Sequence, residues 1–181
     1  MNSTIVTIQT LSNQGEGIAR VEGKATFIPF TLPGETWKVR ITDSKKNFDR
    51  ALPLELIERS EDAPERILPA CPHFGTCGGC HLQHLPYADQ LDWKRKWLQE
   101  TFRRIAHLEV QPNPTVASSP WEYRNKLTLS LRNHRGGIVY TYHHVQQPNR
   151  WVAVEDCPIA HPLIRRILPI VLEGLNNSRP R

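Results

Sequence analysis

Four cysteines constrain this 181-residue chain more than any other feature. Three lie within ten residues, Cys71-Pro-His-Phe-Gly-Thr-Cys77-Gly-Gly-Cys80, and the fourth, Cys157, precedes Pro158 at the end of a predicted strand. A fold that uses all four must return that strand end to a short glycine-rich loop. Thiolates are soft ligands, and cysteines grouped this way in a reducing compartment bind metal rather than pair as disulfides. Structural zinc sites generally use two close pairs, whereas a loose triplet with one remote ligand favours a 4Fe–4S cluster; zinc is the alternative. Gly75, Gly78 and Gly79 let the backbone wrap closely and aim amide hydrogens at sulfur. His73, His81 and His84 flank the thiols, but four thiolates complete the site without them.

Residues 1–58 read as short strands separated by turn residues. They are Thr4 to Leu11, Ala25 to Phe30, Glu35 to Thr42 and Leu52 to Glu58, with Gly15, Gly17, Gly23, Pro33 and Gly34 between them. This spacing predicts a small barrel. Around Trp37, a period of two sends Trp37, Val39 and Ile41 to the core and Lys38, Arg40 and Thr42 to the opposite face, which is cationic. Residues 59–70 are acidic and contain Pro64 and Pro69, the composition of a linker.

Beyond the cysteine triplet, Tyr87 to about Ala106 has helical spacing, with Arg103 and Arg104 in its last turn. Leu127, Leu129 and Leu131 alternate with polar residues. Arg135, Gly136 and Gly137 then turn the chain into Ile138 to His144, a hairpin signal. A third strand, Arg150 to Val154, follows Pro148 and Asn149. A final apolar stretch, Leu163 to Leu175, is interrupted by Pro169.

Charge points to the partner. The net charge of +5 is modest, but Trp93 to Arg135 holds nine Lys or Arg, a local excess that suits a phosphate backbone. Lys38, Arg40, Lys94, Arg124, Lys126, Arg132 and Arg135 are the candidate RNA-binding residues. Trp37, Trp93, Trp97, Trp121 and Trp151 offer stacking planes, although such residues usually belong to cores. No run approaches the roughly 18 apolar residues of a membrane span, and Met1 is followed by polar residues rather than a signal segment. A monomeric cytoplasmic protein without membrane contact is expected.

The stretch from Cys71 through Gln83-His84-Leu-Pro-Tyr87 to Gln90-Leu91-Asp-Trp-Lys94 closely resembles the cluster-binding segment of the S-adenosylmethionine-dependent RNA uracil-5-methyltransferases. Tyr123-Arg124-Asn125-Lys126 resembles that family's central-domain motif. Gly15-Glu-Gly17-Ile18-Ala19-Arg20 and Leu32-Pro33-Gly34-Glu35 are similar to its TRAM domain. A TRAM domain ahead of the cluster is similar to the family's 23S rRNA members. The resemblance implies a mainly β fold with α: an OB-like TRAM β-barrel over 1–58 that binds RNA, a linker over 59–70, and an incomplete α+β iron–sulfur central domain over 71–181. It also implies that Cys157 is the fourth cluster ligand.

The family's chemistry is attack of a cysteine thiolate on uracil C6, methylation of C5, and proton removal by a glutamate, carried by a Rossmann-like C-terminal domain. This sequence has no glycine-rich cofactor loop and no fifth cysteine, so it holds no catalytic residue of its own and is expected to be inactive alone. S-adenosylmethionine would enter only with the absent domain. The expected function is therefore the RNA-binding and 4Fe–4S portion of a 23S rRNA 5-methyluridine methyltransferase. The alternatives are a stand-alone iron–sulfur electron carrier or a zinc-binding RNA module. A radical S-adenosylmethionine enzyme would need three residues before the CxxC pair where five stand.

Overall fold

The computed structural model describes residues 3–147 and 149–178; Pro148 and the tail 179–181 lie outside the described residues. Two compact units emerge, one of residues 1–68 with 81–117 and the other of 69–80 with 118–181.

The first unit is built on six strands, β1 (Ser3–Thr7), β2 (Thr10–Leu11), β3 (Gly17–Val21), β4 (Lys24–Ile28), β5 (Glu35–Ser44) and β6 (Phe48–Arg59). Their order is β1-β5-β6-β4-β3-β2, with β4 and β6 parallel and the other pairs antiparallel. The two edge strands are consecutive in sequence. Between them, the Ile8 amide donates to the Glu35 carbonyl and the Gln9 amide to the Ile18 carbonyl, each at 2.8 Å. One short stretch thus joins both margins and curls the sheet toward a barrel, leaving few unpaired edge groups. The expected single strand from Thr4 to Leu11 is divided at this crossing.

The barrel core is Val6, Ile8, Ala19, Ile28, Val39 and Ala51, with Trp37 and Ile41 packed against it. The period-two reading of β5 holds: Val39 is buried and Lys38 is exposed. Gly17 is required by space. A Cβ there would lie 2.0 Å from Thr31 Oγ1 and 2.8 Å from Ile8 Cγ2. Gly34 combines a positive φ of 79° with a Cβ position 2.5 Å from Ser60 Oγ, so the Pro33-Gly34 turn tolerates no side chain.

A second cluster of Leu11, Leu32 and Leu85 receives Trp93 and Trp97 from α1 (Tyr87–Thr101). Trp97 Nε1 donates to the Leu11 carbonyl at 3.2 Å, which ties the helix to β2. The helix does not run regularly to Ala106. Its last part, Phe102–Ala106, is a π turn closed by His107 in the left-handed region.

In the second unit, β7 (Ser130–His134), β8 (Gly137–His143) and β9 (Trp151–Ala153) form an antiparallel sheet in that order. β7 begins later than the alternation of Leu127, Leu129 and Leu131 predicts, and Leu131 is exposed. The reason is backbone commitment upstream: the Arg124 amide donates to the Ile159 carbonyl and the His161 amide to the Arg124 carbonyl, both at 2.8 Å. That pairing holds the chain near Pro158 to His161 before it can join β8.

α2 (Pro162–Asn177) runs through Pro169 without a break, a correction to the expected interruption. Proline removes one ladder bond, but flanking turns hold, and Asn176 anchors the far end on β8. Asn176 Oδ1 accepts from the Ile138 amide at 2.7 Å, and its Nδ2 donates to the Ile138 carbonyl at 3.1 Å. No helix among the described residues is long and apolar enough to cross a membrane.

Candidate metal centre

All four cysteines fall in the second unit, half-buried and with no disulfide between them. The loop bearing Cys71, Cys77 and Cys80 is stitched to the end of β8. The Gly78 amide donates to the His143 carbonyl at 3.0 Å, the Val145 amide donates to the Thr76 carbonyl at 2.8 Å, and Cys77 bridges His144. Gly78 allows this approach, because a Cβ there would stand 3.3 Å from the His143 carbonyl oxygen. Cys157 arrives from the chain leaving β9. Cys157 lies four residues beyond the end of β9 rather than at a strand end as expected.

Burial pushes the Cys77 thiol upward, the Gly79 amide opposes that, and the negative charge that Cys71 and Cys157 would carry raises it further. Cys157 is likewise raised, first by burial and then by Cys71, against amide donation from Ile159 and Ala160 and the charge of Arg124. Three thiols therefore share one electrostatic locale, in which N–H groups already point at two of the sulfurs. Among the described residues, no three His, Cys, Asp or Glu side chains converge closely enough to hold a single ion. Chemically, ionised thiolates would suit a cationic sulfur-ligated core, which would relieve their repulsion where the Gly79, Ile159 and Ala160 amides already aim at the sulfurs of Cys77 and Cys157.

Arg165, from the first turn of α2, braces this site. Its Nε and Nη2 donate to Asp156 Oδ1 and Oδ2 at 2.8 and 2.6 Å, and its Nη1 donates to Glu122 Oε1 at 3.0 Å. It thus ties the residue before Cys157 to the segment leading into Arg124. Glu122 has a positive φ of 59°, and its amide donates to the Pro158 carbonyl at 3.1 Å. Sequence reasoning missed Arg165; the signal available was its position three residues beyond Pro162, in a helix start that follows a cysteine.

The candidate RNA-binding cations do not form one set. Lys38 and Arg40 lie on β5 and Lys94 on α1, in the first unit; Arg124, Lys126, Arg132 and Arg135 lie in the second. Lys126, Arg132 and Arg135 are exposed, whereas Arg124 is half-buried, acts electrostatically on Cys77 and Cys157, and hydrogen-bonds Tyr142. Its charge is directed at the thiols. His84 is buried in the first unit, edge-on to Phe30, and His81 is exposed; His73 lies near Asp156.

Residues 5–53, the curled sheet, match the TRAM domain. Over nearly its whole length, barrel included, the chain is similar to RNA uracil-C5-methyltransferases of the RlmD type. It is 37% identical to the 23S rRNA (uracil(1939)-C(5))-methyltransferase RlmD of Salmonella paratyphi A, over 96% of this chain and 39% of the relative. It is 34% identical to RlmD of Photorhabdus laumondii over the same shares, and 37% identical to an uncharacterized RNA methyltransferase of Halalkalibacterium halodurans, over 86% of this chain and 34% of that protein. Among solved structures, the Pyrococcus abyssi tRNA (uracil-54, C5)-methyltransferase in complex with S-adenosyl-L-homocysteine superposes with a TM-score of 0.59. That match has 26% identity and covers 96% of this chain and 37% of that one. The chain spans well under half the length of the relatives it matches.

Proposed function

We propose that this chain is the RNA-handling, cluster-bearing portion of an S-adenosylmethionine-dependent 23S rRNA 5-methyluridine methyltransferase. Cys71, Cys77, Cys80 and Cys157 hold a 4Fe–4S cluster. The observation that carries this reading is the return of Cys157 to the Cys71–Cys80 loop, with N–H groups from Gly79, Ile159 and Ala160 on the sulfurs. The three-plus-one spacing of the cysteines supports a 4Fe–4S cluster over zinc, which generally uses two close pairs.

In this reading residues 1–58 are the barrel, 59–70 a connecting segment that Arg66 holds against it, and 71–181 the cluster-bearing central portion, with the methyl-transfer residues outside these 181 residues. Bound through Cys71, Cys77, Cys80 and Cys157, a cluster would join the loop to the segment that follows β9. This chain's own groups do the rest: the loop pairs with β8, Arg165 fixes Asp156, and Arg124 offsets the charge of the thiolates. Lys126, Arg132 and Arg135, held by the tied sheet, and Lys38, Arg40 and Lys94, on the barrel and α1, face the RNA backbone. The S-adenosyl-L-homocysteine complex of the similar archaeal tRNA enzyme supports S-adenosylmethionine as the methyl donor of this reading.

The test is iron content and electronic absorption of anaerobically purified protein. About four irons per chain with a broad charge-transfer band supports the proposal. Colourless protein holding stoichiometric zinc replaces it with a zinc-binding RNA module.

A further inference from the structure

The first unit contains a groove of about 880 Å³ between the β2–β4 surface and the second half of α1. None of the seven cations expected from sequence to meet RNA lines it. Its floor is apolar and partly aromatic, with Leu11, Ile18 and Phe27 from the strands and Trp93 and Trp97 from the helix. The wall is fixed in place: Trp97 is tied to the Leu11 carbonyl, and the two tryptophan rings pack with centroids 6.2 Å apart. Ser12, Asn13 and Gln99 add neutral hydrogen-bonding groups.

The rim carries Lys96, Arg103 and Arg104. Glu100, which also lines the groove, is engaged by Arg103 through two guanidinium nitrogens. Lys96 Nζ stands 4.8 Å above the Trp93 ring, and both Lys96 and Arg104 are exposed. The positive charge at this edge therefore exceeds the negative.

A flat apolar floor, neutral donors and acceptors alongside it, and a cationic rim match the parts of one nucleotide: a base face, base edges and a phosphate. A duplex buries its base faces by stacking and would leave the floor unused. An acidic peptide would satisfy the rim but not the aromatic floor.

We infer that this groove holds an unpaired nucleotide of single-stranded RNA, base against Phe27 and Ile18, phosphate at Lys96 and Arg104. The inference rests on the reading of this chain as an RNA-handling module and adds a second contact surface to it.

The experiment is fluorescence anisotropy of the full chain with a labelled oligouridylate and with its duplex with oligoadenylate, across a salt series. Lys96→Gln with Arg104→Gln, both exposed, should weaken single-strand binding about tenfold and lower the logarithmic salt slope by about 0.7 per charge removed. Phe27→Leu, which keeps the core apolar, should weaken binding several-fold without changing that slope. Lys45→Gln with Lys46→Gln removes equal charge from the β5–β6 turn and should leave binding within about twofold. Wild-type binding unaffected by the Lys96/Arg104 change overturns the groove and leaves RNA binding standing. Equal affinity for duplex and single strand, or equal competition by polyglutamate, overturns the unpaired nucleotide. No wild-type binding to either RNA overturns the RNA-handling reading itself.

Discussion

Arg66 reaches back 31 residues to Glu35 and holds it with two hydrogen bonds, Nε to Oε1 at 3.0 Å and Nη2 to Oε2 at 2.8 Å. Glu35 is fully buried and also accepts from the Leu32 amide at 2.7 Å and from Trp37 Nε1 at 2.8 Å. Arg66 Nη2 donates again to the Phe30 carbonyl at 2.9 Å, and its guanidinium lies over the Trp37 ring. The Leu32-Pro33-Gly34-Glu35 motif is therefore a structural knot that pins residues 59–68 onto the barrel. Replacing Arg66 by alanine leaves a buried carboxylate without its main counter-ion, a loss of about 3 kcal/mol. Urea denaturation should report it, and Arg66→Lys should recover only part, because an ammonium cannot reproduce the fork.

Acid should loosen the same region, starting near neutrality. Burial, then the neighbouring charge of Arg66, holds His84 down to about 4 from 6.5, only partly countered by Glu35. The unfolded chain takes up a proton that the folded chain refuses. Stability is therefore full above pH 6.5, falls as pH drops from 6.5 toward 4, and is insensitive to this group below that. The loss is on the order of 3 kcal/mol. Burial raises the Glu35 carboxyl, but Arg66, Leu32 and Trp37 together hold it below its ordinary value, so its contribution is present above pH 4.5 and lost at still lower pH. Thermal melts across pH 4 to 7 should show the first decline in the wild type and its absence in His84→Leu.

Gly17 should resist substitution. An added methyl group would meet Thr31 Oγ1, a hydroxyl that donates to the Ile28 carbonyl at 3.0 Å in a fully buried position. Gly17→Ala should cost about 1–3 kcal/mol by overpacking. Combining it with Thr31→Ala should restore part of the loss, a coupling that a double-mutant cycle measures. Simple additivity of the two costs would refute the steric account.

Arg165 should matter to the thiol site more than to overall stability. Its partners Asp156 and Glu122 are partly exposed, so Arg165→Gln should cost about 1 kcal/mol or less. If the proposed cluster is reconstituted, freeing the residue before Cys157 should nevertheless shorten its lifetime in air several-fold, followed as bleaching of its absorption. A lifetime unchanged from wild type would remove Arg165 from the site.

Pro169 occupies the middle of α2 on an exposed face. Its missing amide and ring clash cost a helix interior about 3 kcal/mol relative to alanine, so Pro169→Ala should raise the melting temperature. No gain would mean that the neighbouring turns already absorb the distortion.

Much of this architecture is written locally. The alternation around Val39 and the glycine corners specify a curled sheet, because inward-facing side chains and left-handed turns are properties of a few adjacent residues. The cysteine spacing likewise raises the expectation of a soft-metal site, which the proposed iron test decides. Three features were not legible that way. The helix through Pro169 persists because Asn176 grips Ile138, a contact 38 residues apart. β7 starts late because Arg124 pairs with Pro158 to His161. Arg124, one of several exposed-looking cations in the sequence, stands beside the thiols.

The same division applies to burial and charge. The amino-acid order alone determined which segments favour strands, turns and helices, and supplied the four cysteines on which the proposed centre rests. Only the tertiary structure decided that Glu35 is buried under Arg66, that His84 is held neutral, and that α1 faces the strands across a cationic groove. Propensity and periodicity act over a few residues, whereas desolvation and ion pairing depend on which distant groups the closed chain brings into contact.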